Sequence, residues 1–354
     1  MKTSSNGRRL RVGIIGLGRS GWNIHAKTLQ QLADHYTVDA VTDTDAARLD
    51  EARSVFGCRT YPDAGALIAD DGLDLIVVAS PNIYHVDHAI SAMRSGKHVV
   101  CEKPMALSVS EADKAIEVSR ETGRTLAPFQ NRRYEPHFLK VREILDSGRL
   151  GKILQIRMCW HGFSRRWDWQ TLAEFGGGLL NNNGAHLLDQ ALVLFGDAEP
   201  ELFVDLKQAL SSGDTEDHVK VILKAEDSPT IDVELTSASA YPQDRWHIMG
   251  TAGGLIGTLT ELNWKWVDWS TMPPRPVDRT PITPDRAYNR EELNWQSDHW
   301  ELAKDHPGEY VMFYRDLYQT LSHDKPLFIT PESVRRQIDL LERCRRACRL
   351  QCLV

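Results

Sequence analysis

The chain has 354 residues, 42% hydrophobic and 26% charged, with 42 Lys and Arg against 49 Asp and Glu for a formal net charge of −7. That length exceeds one ordinary core and suits two domains. The acidic balance argues against nucleic acid or an anionic membrane as a general partner, and no apolar run approaches the ~18–20 residues of a spanning helix.

Residues 1–10 read as a flexible arm. Arg8-Arg9 only loosely resembles a twin-arginine export signal, because the short apolar run behind it is itself the first strand, so the chain is expected in the cytoplasm. That strand, Val12 to Ile15, runs into Gly16-Leu17-Gly18-Arg19-Ser20-Gly21. Gly16 allows the tight strand-to-helix turn, Gly18 lets backbone N–H groups approach a pyrophosphate, and Gly21 lets the helix pack close to the strand. The phosphates are expected on the N–H groups of Gly18, Arg19 and Ser20, at the positive end of the helix. A second apolar run, 38–42, ends at Asp43, near the spacing for a carboxylate on a ribose 2′-OH. This favours NAD, with NADP possible. Asp43 can also be a helix N-cap, a role Asp45 fills equally well.

Strand 73–78 leads to Ser80-Pro81-Asn82 at the carboxyl edge of the sheet, where ligands bind in open α/β folds. A helix is predicted over 83–95 with Gly96 as its stop, and a strand over 98–101. Ser108 and Glu111 form a capping box for a helix to Thr122, closed by Gly123. A strand at 125–128 completes the alternation. The fold class is α/β, with a parallel dinucleotide-binding domain over 1–128.

From 129 to 354 the pattern changes. A helix over 136–147 and a strand over 153–161 precede Gly176-Gly177-Gly178 and a helix over 181–195. Strands follow at 202–206, 218–223, 230–236, 246–249 and 254–260, so the second domain carries a mainly antiparallel sheet. Residues 266–283 read as a long loop, and two helices, 309–321 and 331–350, close the chain. Trp160, Trp167 and Trp169 flank the loop 162–166, and an aromatic face there suits a sugar ring. Trp264, Trp266 and Trp269 read as one strand face, packed in the core or at the sheet. Cys344, Cys348 and Cys352 recur every four residues on the last helix. No histidine or Cys-x-x-Cys joins them, and no metal is expected.

Four stretches then read together: Gly16 to Gly21; Ser80-Pro81-Asn82-Ile83-Tyr84-His85; Gly96-Lys97-His98-Val99-Val100-Cys101-Glu102-Lys103-Pro104; and Gly176-Gly177-Gly178 through Asn182, His186 and Asp189. In order and spacing the chain resembles the glucose–fructose oxidoreductase / inositol dehydrogenase / rhizopine catabolism (Gfo/Idh/MocA) family. Residues 131–134 and 186–192 look most like its members acting on sugars and cyclitols.

The resemblance implies a Rossmann domain followed by an α/β domain with a large open, mainly antiparallel sheet, through which members pair as homodimers or homotetramers. It implies oxidation or reduction of a sugar, glycoside or cyclitol. The turn Ser80, Pro81, Asn82 would line the cofactor with His85, Glu102 and Lys103. Lys103 would hold the reacting oxygen, and a cis bond before Pro104 would aim it inward. His186 would relay the proton, and imidazole titrates in the right range. Asn182 stands where inositol-dehydrogenase-like relatives carry Asp. It is expected to share a helix face with His186 and orient the ring without supplying charge, while Asp189 partly compensates. Asn131, Arg132 and Trp169 are further candidates for substrate contact. Open alternatives are an NADPH-dependent oxo-sugar reductase, a non-catalytic dinucleotide-binding regulator, and a glycosidase using NAD transiently.

Overall fold

The computed structural model describes residues 8–279, 286 and 288–353. Most of the expected N-terminal arm, and the end of the predicted 266–283 loop, lie outside them. The first half alternates strand and helix. β1 (Leu10–Ile15), β2 (Tyr36–Thr42), β3 (Arg59–Tyr61), β4 (Leu75–Val78), β5 (His98–Cys101) and β6 (Leu126–Pro128) form a six-stranded sheet ordered β3-β2-β1-β4-β5-β6. Every pairing in it is parallel. The helices between are α1 (Lys27–Gln31), α2 (Ala46–Phe56), α3 (Ala64–Ile68), α4 (His85–Arg94) and α5 (Val109–Thr122).

Local chemistry sets these boundaries. Ser108 accepts the Glu111 N–H at the start of α5, and Gly123 closes it in the left-handed region. Asp45 caps α2 by accepting the Ala47 N–H, which leaves Asp43 free of that duty.

The second half carries α6 (Pro136–Asp146), β7 (Ile153–His161), α7 (Ala185–Phe195), β8 (Glu201–Gln208), β9 (His218–Lys224), β10 (Thr230–Thr236), β11 (Trp246–Gly250), β12 (Gly253–Gly257), β13 (Glu261–Val267), β14 (Trp295–Glu301), α8 (Glu309–His323), α9 (Pro331–Ala347) and β15 (Gln351–Cys352). Among the described residues its nine strands order as β14-β13-β12-β11-β7-β10-β9-β8-β15. The sheet is mixed and mostly antiparallel, with β7–β10 and β8–β15 parallel.

Three expectations are corrected. The predicted loop does not begin at 266: β13 runs to Val267, alternating exposed and buried positions and pairing with β12 and β14. Trp264 and Trp266 share its face, but Trp269, an odd number of residues further on, falls in a separate 3₁₀ turn where its indole N–H donates to the Thr251 carbonyl. The last helix ends at Ala347, Cys348 is extended, and Cys352 sits on β15, so the three cysteines share no helix face.

One apolar core packs both faces of the parallel sheet and recruits Tyr314, Leu317 and Tyr318 of α8. The other lies between the second sheet and α6, α7 and α9, around Trp246, Phe138, Leu188 and Leu341. The sheet's opposite face leaves Leu154, Phe203, Met249 and Ile256 exposed.

Candidate functional site

A cleft of about 860 Å³ opens at the carboxyl edge of the parallel sheet, within the size range of cofactor and ligand sites. One wall is the glycine turn. Gly16 adopts φ +90°, and a Cβ there would press on the Ala79 carbonyl. Gly18 faces open space. Gly21 does not line the cleft; a Cβ on it would overlap the Gly16 carbonyl, so it serves helix-to-strand packing. Arg19 and Ser20 line the cleft. The helix they open is a π-helix over Arg19–Ala26, a geometry often found at functional sites.

Asp43 lines the same cleft, with its carboxylate largely engaged. Oδ2 accepts the Leu17 N–H at 2.6 Å and Oδ1 the Asp45 N–H at 2.9 Å. Arg48, half exposed on the cleft wall, approaches Oδ2 at 3.5 Å. Asp43 therefore fixes the glycine turn, and a guanidinium stands beside it. Sequence reasoning passed over Arg48; its place one turn into the helix after Asp43 was the available signal.

Ser80, Pro81 and Asn82 line the next stretch. His85 borders them, but both its ring nitrogens are committed: Nδ1 lies 2.8 Å from the Pro104 carbonyl and Nε2 2.8 Å from the Ser80 carbonyl. It ties the two cleft turns together rather than offering a nitrogen to a ligand. Burial pushes its pKa down, against the pull of those two carbonyls.

Glu102 and Lys103 directly follow β5, and the Lys103–Pro104 bond is cis. Glu102 Oε1 meets His25 Nε2 at 3.2 Å, and His25 Nδ1 meets the Tyr314 hydroxyl at 2.7 Å. Glu102 Oε2 accepts the Lys103 N–H at 2.9 Å. Burial opposes ionisation of Glu102, yet the His25 hydrogen bond and charge, with Lys103, bring it to about 2. Burial lowers Lys103 to about 8; Glu102 resists this, and Arg132, Arg19 and Arg166 add to it.

Across the cleft stand Arg166, Asp168, Trp169, Gln170 and the triplet Gly176 to Gly178. Arg166 and Asp168 pair, at 2.8 Å. Lys103 Nζ spans the gap: it donates to Asn182 Oδ1 at 2.8 Å and to the Asn182 carbonyl at 3.3 Å. Asn182 Nδ2 donates to Gln170 Oε1 at 3.3 Å. This corrects the expectation that Asn182 orients His186. Residues 180–184 form a π-helical turn, which breaks the four-residue face an α-helix would provide, and the carboxamide turns to Lys103 instead.

His186 sits next in α7, 6% exposed, and does not line the cleft. Its Nδ1 is buried without a hydrogen-bond partner. Burial, then the charges of Lys103, Arg132 and Arg245, hold it well below the usual imidazole range. Asp189 does not serve it: the carboxylate takes a bidentate pair from Arg133 at 2.6 and 2.7 Å. Asn131 is buried, and Arg132 packs over the Trp160 ring and pairs with Glu135; neither lines the cleft, whereas Trp169 does.

A glycine turn at the switch-point edge of a parallel sheet, faced across a cleft by residues 166–182, is the arrangement of a dinucleotide-binding fold. The chain belongs to the Gfo/Idh/MocA family. Residues 10–129 match the oxidoreductase family with NAD-binding Rossmann fold, and residues 138–256 match the GFO/IDH/MocA C-terminal domain.

Relatives include inositol 2-dehydrogenase 2 of Saccharopolyspora erythraea, 30% identical over 70% of this chain and 72% of that protein. Myo-inositol 2-dehydrogenase of Thermotoga maritima is 28% identical over 70% and 75%. An uncharacterized oxidoreductase of Schizosaccharomyces pombe is 31% identical, but the match spans only 53% of this chain and 52% of that protein. Among solved structures, an NAD-binding protein from Listeria innocua aligns with TM-score 0.77 and 25% identity over 96% of this chain and 95% of that one. The WlbA dehydrogenase of Bordetella pertussis, solved with NADH and UDP-GlcNAcA, aligns with TM-score 0.77 at 19% identity over 96% and 95%, a likeness of fold. Among the described residues no helix is long and apolar enough to cross a membrane.

Proposed function

We propose that the protein is an NAD-dependent dehydrogenase acting on a ring carbinol of a sugar, glycoside or cyclitol. The observation that carries this reading is the Lys103 ammonium, lowered to about 8 and held across the cleft by Asn182. The inositol dehydrogenases among the relatives support the substrate class.

The residues present fit a dinucleotide. Gly18 leaves room for it, the N–H groups of Gly18, Arg19 and Ser20 suit a pyrophosphate, and Asp43 and Arg48 stand at the ribose end. When bound, the nicotinamide supplies the hydride acceptor. Lys103 exchanges its Asn182 contact for the substrate oxygen and stabilises developing charge there. His186, kept neutral, accepts the proton that leaves the hydroxyl. Trp169, half exposed, offers its face to the ring. Pairing of two copies through the apolar sheet face of Leu154, Phe203, Met249 and Ile256 belongs to the same proposal, and the free thiols suit a cytoplasmic setting.

A second reading, an NADPH-dependent oxo-sugar reductase, is favoured by Arg48, whose guanidinium suits a 2′-phosphate. Steady-state assays over a sugar and cyclitol panel with NAD and NADP test both. Turnover with the lower KM for NAD is expected; a lower KM for NADP supports the second reading, and no turnover of any panel member with either cofactor contradicts both.

Asn182→Asp is expected to move the basic limb of the pH profile of kcat/KM upward from about 8. A carboxylate 2.8 Å from the ammonium favours its charged form, so the proton is lost at higher pH. An unmoved limb contradicts the assignment of that limb to Lys103.

A further inference from the structure

A chain of buried polar groups runs from α8 to the turn that carries Lys103. The Tyr36 hydroxyl donates to the Tyr314 carbonyl at 2.6 Å, and the Tyr314 hydroxyl lies 2.7 Å from His25 Nδ1. His25 Nε2 lies 3.2 Å from Glu102 Oε1, and Glu102 Oε2 accepts the Lys103 N–H at 2.9 Å. Tyr36, Tyr314, His25 and Glu102 are all buried, and of these Glu102 alone lines the cleft. A carboxylate only accepts, so His25 Nε2 carries a proton toward it; the Tyr314 hydroxyl, able to donate or accept, satisfies Nδ1. Aromatic packing fixes the rings: the His25 centroid lies 4.5 Å from that of Phe129, and Tyr314 meets Tyr36 edge-on at 5.5 Å.

The core around this chain is apolar, and packing there does not call for polar side chains, which are costly to bury. What the chain delivers is a fixed carboxylate. With both oxygens engaged, Glu102 is kept on the Lys103 N–H and beside the ammonium. The charged groups facing Lys103 are Glu102 and, opposing it, Arg132, Arg19 and Arg166; His85 and His186 feel its charge in turn. Glu102 is faced by His25, Lys103, His85, Cys101, Tyr310 and Tyr314, and His25 and Lys103 among them favour its charged form.

We propose that His25 and Tyr314 are positioning residues, which through Glu102 hold the Lys103 turn so that its ammonium is aimed into the cleft. This rests on the reading of Lys103 as the reacting group, and it adds two residues that do not line the cleft. Without the His25 donor, Glu102 turns more freely and holds a proton more tightly. Less negative charge beside Lys103 then leaves burial and the three guanidiniums to lower the ammonium further.

The test uses the full chain and three substitutions. Tyr314→Phe removes the hydroxyl, His25→Leu removes both ring nitrogens, and His25→Gln keeps an N–H for Glu102. One readout is the pH profile of kcat and kcat/KM. The other needs no turnover: acetylation of Lys103 by acetic anhydride against pH, followed by mass spectrometry of its peptide. In Tyr314→Phe and His25→Leu, kcat is expected to fall about tenfold or more, with KM within about threefold. The basic limb and the labelling midpoint are expected to move down from about 8 by about one pH unit. His25→Gln is expected to recover most of both. A role in packing alone gives the opposite order, because Leu suits an apolar core better than Gln. A limb and midpoint unmoved in folded Tyr314→Phe and His25→Leu, or His25→Gln no better than His25→Leu, overturn the proposal. If the His25 variants do not fold, Tyr314→Phe decides alone. If no sugar is turned over, the dehydrogenase reading falls, and the labelling midpoints still decide this one: a downward move supports it and an unmoved midpoint overturns it.

Discussion

Lys103→Ala is expected to lower kcat by about 10²–10⁴-fold while the dissociation constant for NADH stays within about threefold. The ammonium is the cation that crosses the cleft, and its partner in the structure is an amide rather than a carboxylate. A neutral partner is readily exchanged for a substrate oxygen. The same residue carries a stability signature. Its folded pKa, about 8, lies below the ordinary 10.5, so between those values the unfolded chain binds more protons and stability rises with pH. Lys103→Met removes that dependence, and its melting temperature near pH 7 is expected to equal or exceed the wild type's. Loss of turnover in a protein of undiminished stability separates a chemical role from a structural one. A variant with wild-type kcat contradicts the assignment.

His186→Ala is expected to cost about 10²–10⁴-fold in kcat with a smaller change in KM. The imidazole is kept neutral by burial and by Lys103, Arg132 and Arg245. Wild-type kcat/KM is therefore expected to be flat from below pH 6.5 to about 8 and to fall above it as Lys103 loses its proton. The acid limb belongs to His186 and disappears in the variant. Because His186 stands behind the cleft wall, the competing outcome is sharp: a folded variant with unchanged kcat and an unchanged acid limb makes it a core histidine.

Much of this fold was legible because local chemistry and tertiary structure agree in the first half. The Ser108–Glu111 box, the Gly123 stop and the apolar runs of β1, β4 and β5 each specify one answer. β14 escaped notice because nearly all its residues are exposed, so no alternation marks it. The tryptophans marked a strand face at β13, but its end, Trp266 and Val267, was drawn into the loop by the Pro-rich and Trp-rich composition that follows. The cysteine face failed because helical spacing says nothing about where a helix ends.

At the site, the glycine turn, Lys103 and Asn182 were found as residues, but not their contacts. The π-helical turn over Leu180–Gly184 leaves no periodic signal in five residues, and it redirects Asn182 from His186 to Lys103. The Asp189–Arg133 pair, the Tyr314–His25–Glu102 chain and the double commitment of His85 join segments far apart in sequence. Such contacts are set by packing, which pattern alone does not encode.

The central claim is that Lys103 and His186 act on one substrate oxygen. The most direct measurement is a crystal structure of the protein with NADH and a sugar that it turns over. The expected result is a carbinol oxygen within about 3 Å of Lys103 Nζ, with the Asn182 contact released and His186 reached directly or through one water. A sugar bound elsewhere, with Lys103 still on Asn182 and His186 sealed behind the wall, would contradict the claim.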